Sequence, residues 1–385
     1  MNSDWRTAKL GDFIELKRGY DLPRAERSLG PYPLVSSAGV SDCHSDAMVH
    51  GPGVVTGRYG TIGQVYFVEQ DFWPLNTTLY VRDFKGNDPK FISYFLKTVD
   101  FHAYSDKAAV PGLNRNHLHE AVAAIPDLAT QQRIAKCLGA LDDRIALLRE
   151  TNATLEAIAQ ALFKSWFVDF DPVRAKQQGL APAGMDEATA ALFPDGFEVL
   201  APTRCPLGWR VGKVEDLLEL AYGKALKATD RIVGDVPVYG SGGLTGFHNQ
   251  ALIDGPGLVV GRKGTIGTLY WEDRPFYPID TVFYVRPMVP LTFCFHQLAM
   301  LGLNEMNTDG AVPGLNRNNV YRLQVIIPPR AALDAFDDAA NALRQRVTCN
   351  RQQAQTIATL RDTLLPRLIS GQLRLPEAEA LAELD

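Results

Sequence analysis

The feature that most constrains this chain is an internal repeat. Residues 51–82 and residues 255–286 align without a gap at an offset of 204, and 17 of the 32 aligned positions are identical. The segment AVPGLNRN at residues 109–116 recurs unchanged at residues 311–318, at an offset of 202. Because repetition at a fixed offset indicates a duplicated structural unit, the 385 residues are expected to form two cores of the same kind.

Each copy has the sequence pattern of a small mixed α and β domain. Short β-branched or aromatic runs, bounded by Gly, Pro and Asn, predict strands at residues 54–55, 65–67 and 78–81 and at the equivalent places of the second copy. A glycine-rich G-R-x-G-T-I-G connection joins the first two runs in both copies. Residues 91–99 have a helical pattern. Each copy is therefore predicted to be an α+β domain of about 120 residues.

After each copy the apolar period changes to that of a long helix. A helix of roughly 35–40 residues is about 50–60 Å long, and its one-sided apolar stripe needs a partner. The simplest partner is the other long helix, in an antiparallel coiled coil that holds the two domains apart. The alternative is that each amphipathic helix packs only on its own domain.

These patterns divide the chain into six segments. An Ala-, Pro- and Gly-rich stretch between the copies is interpreted as a linker, and the acidic end of the chain as a solvated tail. The division is domain 1 (residues 1–126), central helix (127–168), linker (169–208), domain 2 (209–328), C-terminal helix (329–371) and acidic tail (372–385).

Composition sets limits on the kind of protein. The sequence has no run of 18 apolar residues and no leader pattern, which predicts a cytoplasmic protein without a membrane span. Its five scattered cysteines form no C-x-x-C pair, which argues against a disulfide framework or a zinc site. The net charge of −5 counts against nucleic-acid binding unless a basic face is hidden within the acidic total.

The sequence resembles the DNA-specificity subunits of type I restriction–modification systems over nearly its whole length. The resemblance rests on the order of domain, long helix, domain, long helix. It also rests on four local motifs, namely IPDLATQQRIAKCLGALDDRI, LFKSWFVDFDPV, PDGF before the second copy, and LLPRLISGQL near the end. The resemblance implies two target-recognition domains separated by antiparallel coiled-coil helices, in a pseudo-twofold circular arrangement.

The same resemblance implies the function. The protein would have no catalytic activity of its own and would read a bipartite target, one half-site per domain, with the gap set by the helices. Its partners would be double-stranded DNA, two adenine-methylating modification subunits and up to two restriction subunits. S-adenosylmethionine, ATP and magnesium would act in those partners, and this chain itself would bind no cofactor.

Comparison of the two copies sorts the candidate DNA-binding residues. Residues common to both domains serve architecture or phosphate contact, because phosphate contact carries no sequence information. The common candidates are Arg58, Arg262, Arg115, Arg317, Asn114 and Asn316. In the G-L-N-R-N segment, a turn and cap formed by the asparagines is favoured over phosphate contact by the arginines.

Residues that differ at equivalent positions should include the base readers. The differing candidates are Tyr59 against Lys263, Lys17 and Arg18 against Ala221 and Tyr222, and residues 41–45 against residues 245–249.

An enzyme is the alternative function, either a self-contained DNA methyltransferase or an endonuclease. The methyltransferase tetrapeptide (N/D)-P-P-(Y/F) has its nearest approach at Asp171-Pro172-Val173, which lacks the second proline and the aromatic ring. A metal nuclease needs converging carboxylates and a lysine, and the stretch from Asp195 to Glu198 has no lysine in place. The sequence also has no nucleotide-binding P-loop. These patterns predict no catalytic residue and no metal site. A coiled-coil scaffold unrelated to DNA is a third interpretation.

Overall fold

The computed structural model describes residues 5–105, 112–200, 203–307 and 312–382. The chain divides into two compact units, of which unit 2 covers residues 151–349 and unit 1 covers the residues before and after it. Each unit contains one copy of the repeated domain and part of both long helices. In the described ranges, no helix is long and apolar enough to cross a membrane.

Domain 1 has the mixed architecture that its sequence predicts. Its strands are β1 (Trp5–Lys9), β2 (Glu15–Arg18), β3 (Tyr32–Ser36), β4 (Gly39–His44), β5 (Gly53–Gly57), β6 (Val65–Val68), β7 (Trp73–Pro74), β8 (Thr78–Asp83) and β9 (Val122–Pro126). Its α-helices are α1 (Leu10–Phe13), α2 (Pro89–Lys97) and α3 (Arg115–His119). Short 3-10 turns lie at Arg24–Glu26 and Phe101–Tyr104.

The strands of domain 1 form three sheets. The largest has the strand order β2-β8-β5-β6, a second has the order β4-β3-β7, and β1 pairs with β9. Successive side chains of a strand point to opposite faces, so Leu79 and Val81 of β8 enter the main core while Tyr80 enters a smaller core with Val55 and Phe72. The four-stranded sheet is therefore buried on both faces.

Helix α2 covers one face of that sheet. It begins where the Asp88 side chain accepts a hydrogen bond of 2.7 Å from the Phe91 backbone N–H, and Pro89 occupies the first helical position. Both are favourable helix starts, because the cap satisfies a free N–H and proline has none to lose. Phe91 and Ile92 are buried in the main core.

The elements between the domains and those of domain 2 follow in chain order. They are α4 (Leu128–Phe167), α5 (Asp171–Gln177), α6 (Glu187–Ala191), β10 (Phe197–Leu200), β11 (Thr203–Pro206), β12 (Arg210–Lys213), β13 (Leu218–Tyr222), β14 (Val236–Gly240), β15 (Gly243–His248), β16 (Gly257–Gly261), β17 (Leu269–Glu272), β18 (Tyr277–Pro278), β19 (Val282–Pro287), α7 (Leu291–Met300), α8 (Arg317–Tyr321), β20 (Gln324–Ile327), α9 (Arg330–Ile369) and α10 (Leu375–Ala382). Three further 3-10 turns lie at Val214–Asp216, Ala228–Asp230 and Leu303–Glu305.

Domain 2 repeats the topology of domain 1. Its sheets have the strand orders β13-β19-β16-β17, β15-β14-β18 and β12-β20. The register is also the same, since Val55 lies opposite Tyr80 in domain 1 and Val259 lies opposite Tyr284 in domain 2. The repeat that the sequence predicts is thus a repeat of structure in the central sheet, and the described pairing differs at Glu15, where β2 shifts its register against β8 while β13 pairs with β19 in one continuous register.

The stretch at residues 169–208, interpreted as a linker from its composition, has a fold of its own. It folds into α5, α6 and the hairpin of β10 with β11. Val173, Phe193 and Cys205 are buried in the core of unit 2 together with Trp209. A few large apolar side chains therefore anchor a segment whose Ala, Pro and Gly content alone favours a linker.

The predicted solvated tail is also wrong for its first part. Residues 375–382 form helix α10, in which Leu375 is 7% exposed and Ala378 is fully buried. These two residues are three positions apart and so lie on one face of the helix. Both belong to the main core of unit 1, while the acidic Glu377 is exposed.

The two long helices pair in opposite directions. In unit 2, the Asn152 side chain of α4 donates a hydrogen bond of 3.3 Å to the Val347 carbonyl of α9. Further along α4 in the same unit, the Phe163 ring lies 5.6 Å from the Phe336 ring of α9. Residue numbers rise along one helix as they fall along the other, so the antiparallel pairing that the apolar stripes predict is confirmed.

Each long helix also packs on a domain, so the two interpretations of the stripe are both partly correct. Ile134 and Leu138 of α4 share the core of unit 1 with Phe91 of α2. Phe336 of α9 shares the core of unit 2 with Phe293 of α7.

Candidate nucleic-acid interface

The G-R-x-G-T-I-G motif forms a tight loop between two neighbouring strands of the central sheet. It joins β5 to β6 in domain 1 and β16 to β17 in domain 2. Gly60 and Gly264, the second glycines of the motif, have φ values of +78° and +80°, a region that favours glycine. The backbone N–H of Arg58 donates to the Thr77 carbonyl at 2.9 Å, and that of Arg262 donates to the Thr281 carbonyl at 3.0 Å. Each arginine therefore projects from a fixed backbone.

The G-L-N-R-N segment lies beside this loop in both domains. The backbone N–H of Leu113 donates to the Arg58 carbonyl at 3.0 Å, and that of Leu315 donates to the Arg262 carbonyl at 2.8 Å. In domain 1, a Cβ atom on Gly112 would lie 2.5 Å from the Tyr59 ring, so only glycine allows this approach. The two motifs, distant in sequence, thus form one site.

The asparagines of G-L-N-R-N have the architectural role that the sequence favours. The Asn114 side chain accepts a hydrogen bond of 3.0 Å from the Asn116 N–H, and Asn316 accepts one of 2.9 Å from the Asn318 N–H. They cap α3 and α8, and the following residues, Arg115 and Arg317, begin those helices. The caps fix the backbone from which these arginines project.

In domain 1 the two motifs and the end of β2 enclose a cleft of about 340 Å³. The Arg58 guanidinium lies 4.5 Å from the centre of the Tyr59 ring. The cleft is lined by Arg18, Arg58, Tyr59, Leu79, Gly112, Leu113, Asn114, Arg115 and Asn116. Three arginines from three separate segments therefore converge on one open site.

Domain 2 builds the equivalent site around an aromatic ring. The guanidinium of Arg262 lies 4.9 Å from the centre of the Tyr222 ring, and that of Arg317 lies 4.8 Å from it. Arg262 also donates a hydrogen bond of 2.8 Å to the Asp280 carbonyl. The Tyr222 ring in turn lies 5.1 Å from the Phe283 ring. Cation–π contacts of this kind hold an exposed guanidinium by about 0.5–1 kcal/mol each.

Most of the positive charge at both sites lacks an acidic partner among the described residues. Within the described parts of the chain, no carboxylate pairs with the common arginines Arg58, Arg115, Arg262 and Arg317 or with Lys263. Arg18 is the exception, since its Nη2 atom lies 3.4 Å from each carboxylate oxygen of Asp21. Because guanidinium groups offer several N–H donors in a planar fork, these sites can donate hydrogen bonds to phosphates or to base edges.

One candidate from the sequence lies outside the cleft. The Lys17 amino group is 3.4 Å from the Tyr20 hydroxyl and 5.2 Å from the centre of that ring. Tyr20 packs against the small core between the sheets. Lys17 lies on this side because successive residues such as Lys17 and Arg18 point to opposite faces of β2.

The variable stretches at residues 41–45 and 245–249 also lie apart from the cleft lining. They form most of β4 and β15, the outer strands of the three-stranded sheets. Their middle positions are exposed, including Ser41 in domain 1 and Phe247 in domain 2. They stay candidates for DNA contact on a second surface of each domain.

Sequence reasoning missed the residues beneath the cleft. Leu79 lines the site in domain 1, and its equivalent Phe283 packs under Tyr222 and lies 5.8 Å from the Arg262 guanidinium. The gap-free alignment shows this Leu-to-Phe difference, but a buried strand position gives no sequence sign that it lies under a binding site.

In domain 1, His119 holds β2 in place beside the cleft. Its Nε2 atom accepts a hydrogen bond of 2.9 Å from the Leu16 backbone N–H. Burial, together with the positive charges of Arg115 and Lys85, lowers the pKa of His119, which favours the neutral ring that accepts this bond. In domain 2 the Tyr321 hydroxyl accepts the equivalent bond from Leu220 at 2.8 Å.

The stretch that comes nearest to the methyltransferase tetrapeptide is part of the packing of α5. Pro172 and Val173 are buried in α5. In the ranges that the structure covers, no group of three or more His, Cys, Asp or Glu side chains is placed to hold a metal ion.

Comparison with known proteins agrees with the duplicated architecture. The family model of the type I restriction modification DNA specificity domain matches twice, at residues 2–157 and 206–346. These matches cover well over half of the chain.

Two named relatives match most of the chain. The HindI specificity subunit, of a type I restriction enzyme of Haemophilus influenzae, is 24% identical over 468 aligned positions, covering 96% of this chain and 100% of the relative. The MjaIX specificity subunit of Methanocaldococcus jannaschii, also of a type I restriction enzyme, is 23% identical over 397 positions, covering 92% and 84%.

A solved structure shares the fold. The S subunit of a type I restriction-modification system from M. genitalium superposes with a TM-score of 0.62 at 17% identity, covering 96% of this chain and 97% of that one. The predicted fold, two sheet-rich domains linked by long helices, is confirmed.

Proposed function

The chain belongs to the family of type I restriction–modification DNA specificity proteins, and from this premise we propose that its two domains read the two half-sites of one bipartite DNA target. Membership makes the chain a specificity subunit, a DNA-recognition component that is not itself the catalyst. Each domain would bind one half-site through its cleft, and the antiparallel helices would set the gap between the half-sites.

One observation carries this proposal. In both domains the same two motifs meet and present arginines that no carboxylate of the described chain neutralises. In a protein with a net charge of −5, aromatic rings hold guanidinium groups in both domains and leave their positive charge without a carboxylate partner in the described chain. Binding to a polyanion explains it, because cations that neutralise phosphates release condensed counterions.

A specificity subunit needs partners that carry out DNA methylation and cleavage. We propose that it docks two adenine-methylating modification subunits and, through them, up to two restriction subunits. S-adenosylmethionine, ATP and magnesium would be used in those partners, and no cofactor in this chain. A protein with this role acts on the DNA of the cell and so works in the cytoplasm.

The test is exchange of one domain in a reconstituted complex. Residues 5–126 are replaced by the first domain of another family member, and the complex with its modification subunits methylates a genome that is then sequenced for modified adenines. One half-site should change while the other half-site and the gap stay the same. Exchange of residues 209–328 is the matched control and should change the other half-site.

Two results would contradict the proposal. A change of both half-sites after exchange of one domain would show that the domains do not read independently. Methylation or cleavage of DNA by the isolated chain, supplied with S-adenosylmethionine or with magnesium, would favour the alternative of a self-contained methyltransferase or endonuclease.

A further inference from the structure

We propose that the residue at the end of the edge strand of the central sheet, Arg18 in domain 1 and Tyr222 in domain 2, selects a base pair in the half-site of its domain. Arg18 recognises the guanine edge of a G·C pair, and Tyr222 recognises the thymine methyl group of an A·T pair. This inference rests on the proposed function and narrows it to one position per domain.

The two residues occupy the same place in the fold. Arg18 lies opposite Leu79 in the pairing of β2 with β8, and Tyr222 lies opposite Phe283 in the pairing of β13 with β19. Leu79 and Phe283 are themselves equivalent at the repeat offset of 204. Each side chain therefore lies at the same end of the central sheet of its own domain, beside the arginines of the two motifs.

What surrounds this position is common to the two domains. Arg58 with Arg115 in domain 1 corresponds to Arg262 with Arg317 in domain 2. Residues that are identical in both sites cannot distinguish two different half-sites, so they serve as phosphate or groove contacts. Discrimination at the cleft must come from the positions that differ.

Burial excludes two of the differing positions as base readers, and the contacts and chemistry of the side chain distinguish the others. Leu79 and Phe283 are each only 1% exposed and cannot reach a base. Tyr59 lies against Gly112 and carries the Arg58 guanidinium on its ring, so it influences base preference through the placement of Arg58, and Lys263 is a flexible point charge suited to phosphate. The side chain of Arg18 is 50% exposed and Tyr222 is 49% exposed, so these two have the reach to read bases.

Arg18 has the chemistry for guanine. Its contact with Asp21 is long, at 3.4 Å, and exposed, and an ion pair of this kind contributes only about 0–1 kcal/mol. The pair orients the guanidinium without occupying all its donors. A planar guanidinium fits the O6 and N7 acceptors of guanine with two parallel hydrogen bonds, the commonest specific contact in the major groove.

Tyr222 has the chemistry for thymine. Two guanidinium groups and the Phe283 ring hold its ring in place. Among the residues that the structure describes, none hydrogen-bonds the Tyr222 hydroxyl. A fixed aromatic edge makes apolar contact with the thymine methyl group, and the free hydroxyl can donate to the neighbouring O4 acceptor.

The experiment uses the complete complex with its modification subunits and a DNA library randomised in half-site 1, with half-site 2 held fixed. Arg18→Tyr should reduce the preference for G·C at one position by about 5- to 150-fold, the range expected for one bidentate contact, and should favour A·T there. Arg18→Lys keeps the charge but loses the planar fork, so it should lose the same preference. Tyr222→Arg, with half-site 2 randomised, should produce the reciprocal change.

The matched control is Arg6→Tyr. Arg6 is exposed in the same domain, carries the same charge and also lies beside an aromatic ring, 5.4 Å from the centre of Phe13, but it lines a different cleft. This control should leave the preference in half-site 1 unchanged.

Three results would overturn the inference. The first is an unchanged preference for G·C in half-site 1 with both Arg18→Tyr and Arg18→Lys. The second is an equal loss of binding across the whole library, which would make Arg18 a phosphate contact. If Arg18→Tyr does not fold, Arg18→Lys alone decides between these outcomes. The third is a wild-type complex with no preference in half-site 1, which would overturn the proposed function as well, whereas the first two leave it intact.

Discussion

Arg58 shows how the structure separates contact from selection at the level of single residues. It is common to both domains, its backbone is fixed by two hydrogen bonds, and its guanidinium lies on the Tyr59 ring. The adjacent Tyr59 is replaced by Lys263 in domain 2. A common cation beside a variable neighbour is the arrangement expected of a phosphate contact next to a residue that tunes recognition.

Substitution of these two neighbours should have different effects. Arg58→Ala should weaken binding to half-site 1 evenly across sequences and reduce the salt dependence of binding by about one charge. Tyr59→Lys, the residue of domain 2, should alter base preference with a smaller effect on overall affinity. Binding of the reconstituted complex to randomised DNA at several salt concentrations measures both, with Arg82→Ala, an arginine paired with Glu15 at 3.0 Å, as the control. An altered base preference with Arg58→Ala, together with an even loss of affinity with Tyr59→Lys, would contradict the assignment of Arg58 to phosphate contact.

His296 makes the stability of unit 2 dependent on pH. It is 7% exposed and stacks on the Phe163 ring at 5.5 Å, and burial, together with the charge of Arg344, lowers its pKa from 6.5 to about 4. The unfolded chain takes up this proton near pH 6.5, before the folded chain does. The free energy of unfolding of unit 2 therefore has its full value above pH 6.5. It decreases by up to roughly 3 kcal/mol as the pH falls toward 4.

His296→Phe tests this dependence, because it keeps an aromatic ring in the cluster and removes the titration. The free energy of unfolding of unit 2, followed by hydrogen exchange between pH 4 and pH 7, should become less dependent on pH. His50→Phe, at a side chain that is 97% exposed, should leave the dependence as in the wild type. An unchanged slope with His296→Phe would show that other groups cause the acid sensitivity.

At the scale of elements, a cluster of polar side chains fastens the long helices to domain 1. Asp142 of α4 accepts hydrogen bonds of 2.6 Å from the Tyr94 hydroxyl of α2 and of 2.6 Å from Arg361 of α9. Burial would raise the pKa of Asp142, but these two donors lower it below its usual value. One carboxylate thus connects three helices.

The connection predicts a measurable coupling between the helices. Asp142→Asn should destabilise unit 1 by about 1–3 kcal/mol, because it removes the carboxylate that joins Arg361 to α4 and leaves this half-buried arginine only its neighbour Asp362 as a charge partner among the described residues. With Arg361→Gln already present, the same change should cost clearly less, and a double-mutant cycle with denaturant gives the difference. Arg330→Gln, which removes the exposed pair with Asp334, should cost under about 1 kcal/mol. Equal costs of Asp142→Asn in both backgrounds would contradict the coupling.

At the scale of the whole molecule, the proposed function makes the antiparallel helices a spacer between two readers. Seven residues inserted after Leu148, matched by seven inserted after Arg351, keep the apolar faces nearly in phase. Because seven helical residues add about 10.5 Å and a base pair about 3.4 Å, the gap should lengthen by up to about three base pairs. Sequencing of modified adenines measures the gap. A target with its original gap would contradict the role of the helices as a spacer.

Much of this architecture could be predicted because the information is local or repeated. The 3.6-residue apolar period of α4 is a property of one segment, and the offset of 204 identifies equivalent positions such as Arg58 and Arg262 without any structure. The asparagine caps of α3 and α8 could be predicted for the same reason, since Asn114 and Asn316 act on N–H groups two residues away.

The sequence by itself therefore determined the duplication, the long paired helices and the two arginine motifs. Only the tertiary structure decided that the end of β2 completes the cleft, that Lys17 does not, and that Phe193 and Leu375 bury segments whose composition favours a linker and a tail. The physical reason is that periodicity and capping depend on neighbours in the chain, whereas convergence depends on strand pairing between distant segments. Arg18, Arg58 and Arg115 meet because three separate backbones are held together by the pairing of β2 with β8 and by the bond from Leu113 to Arg58.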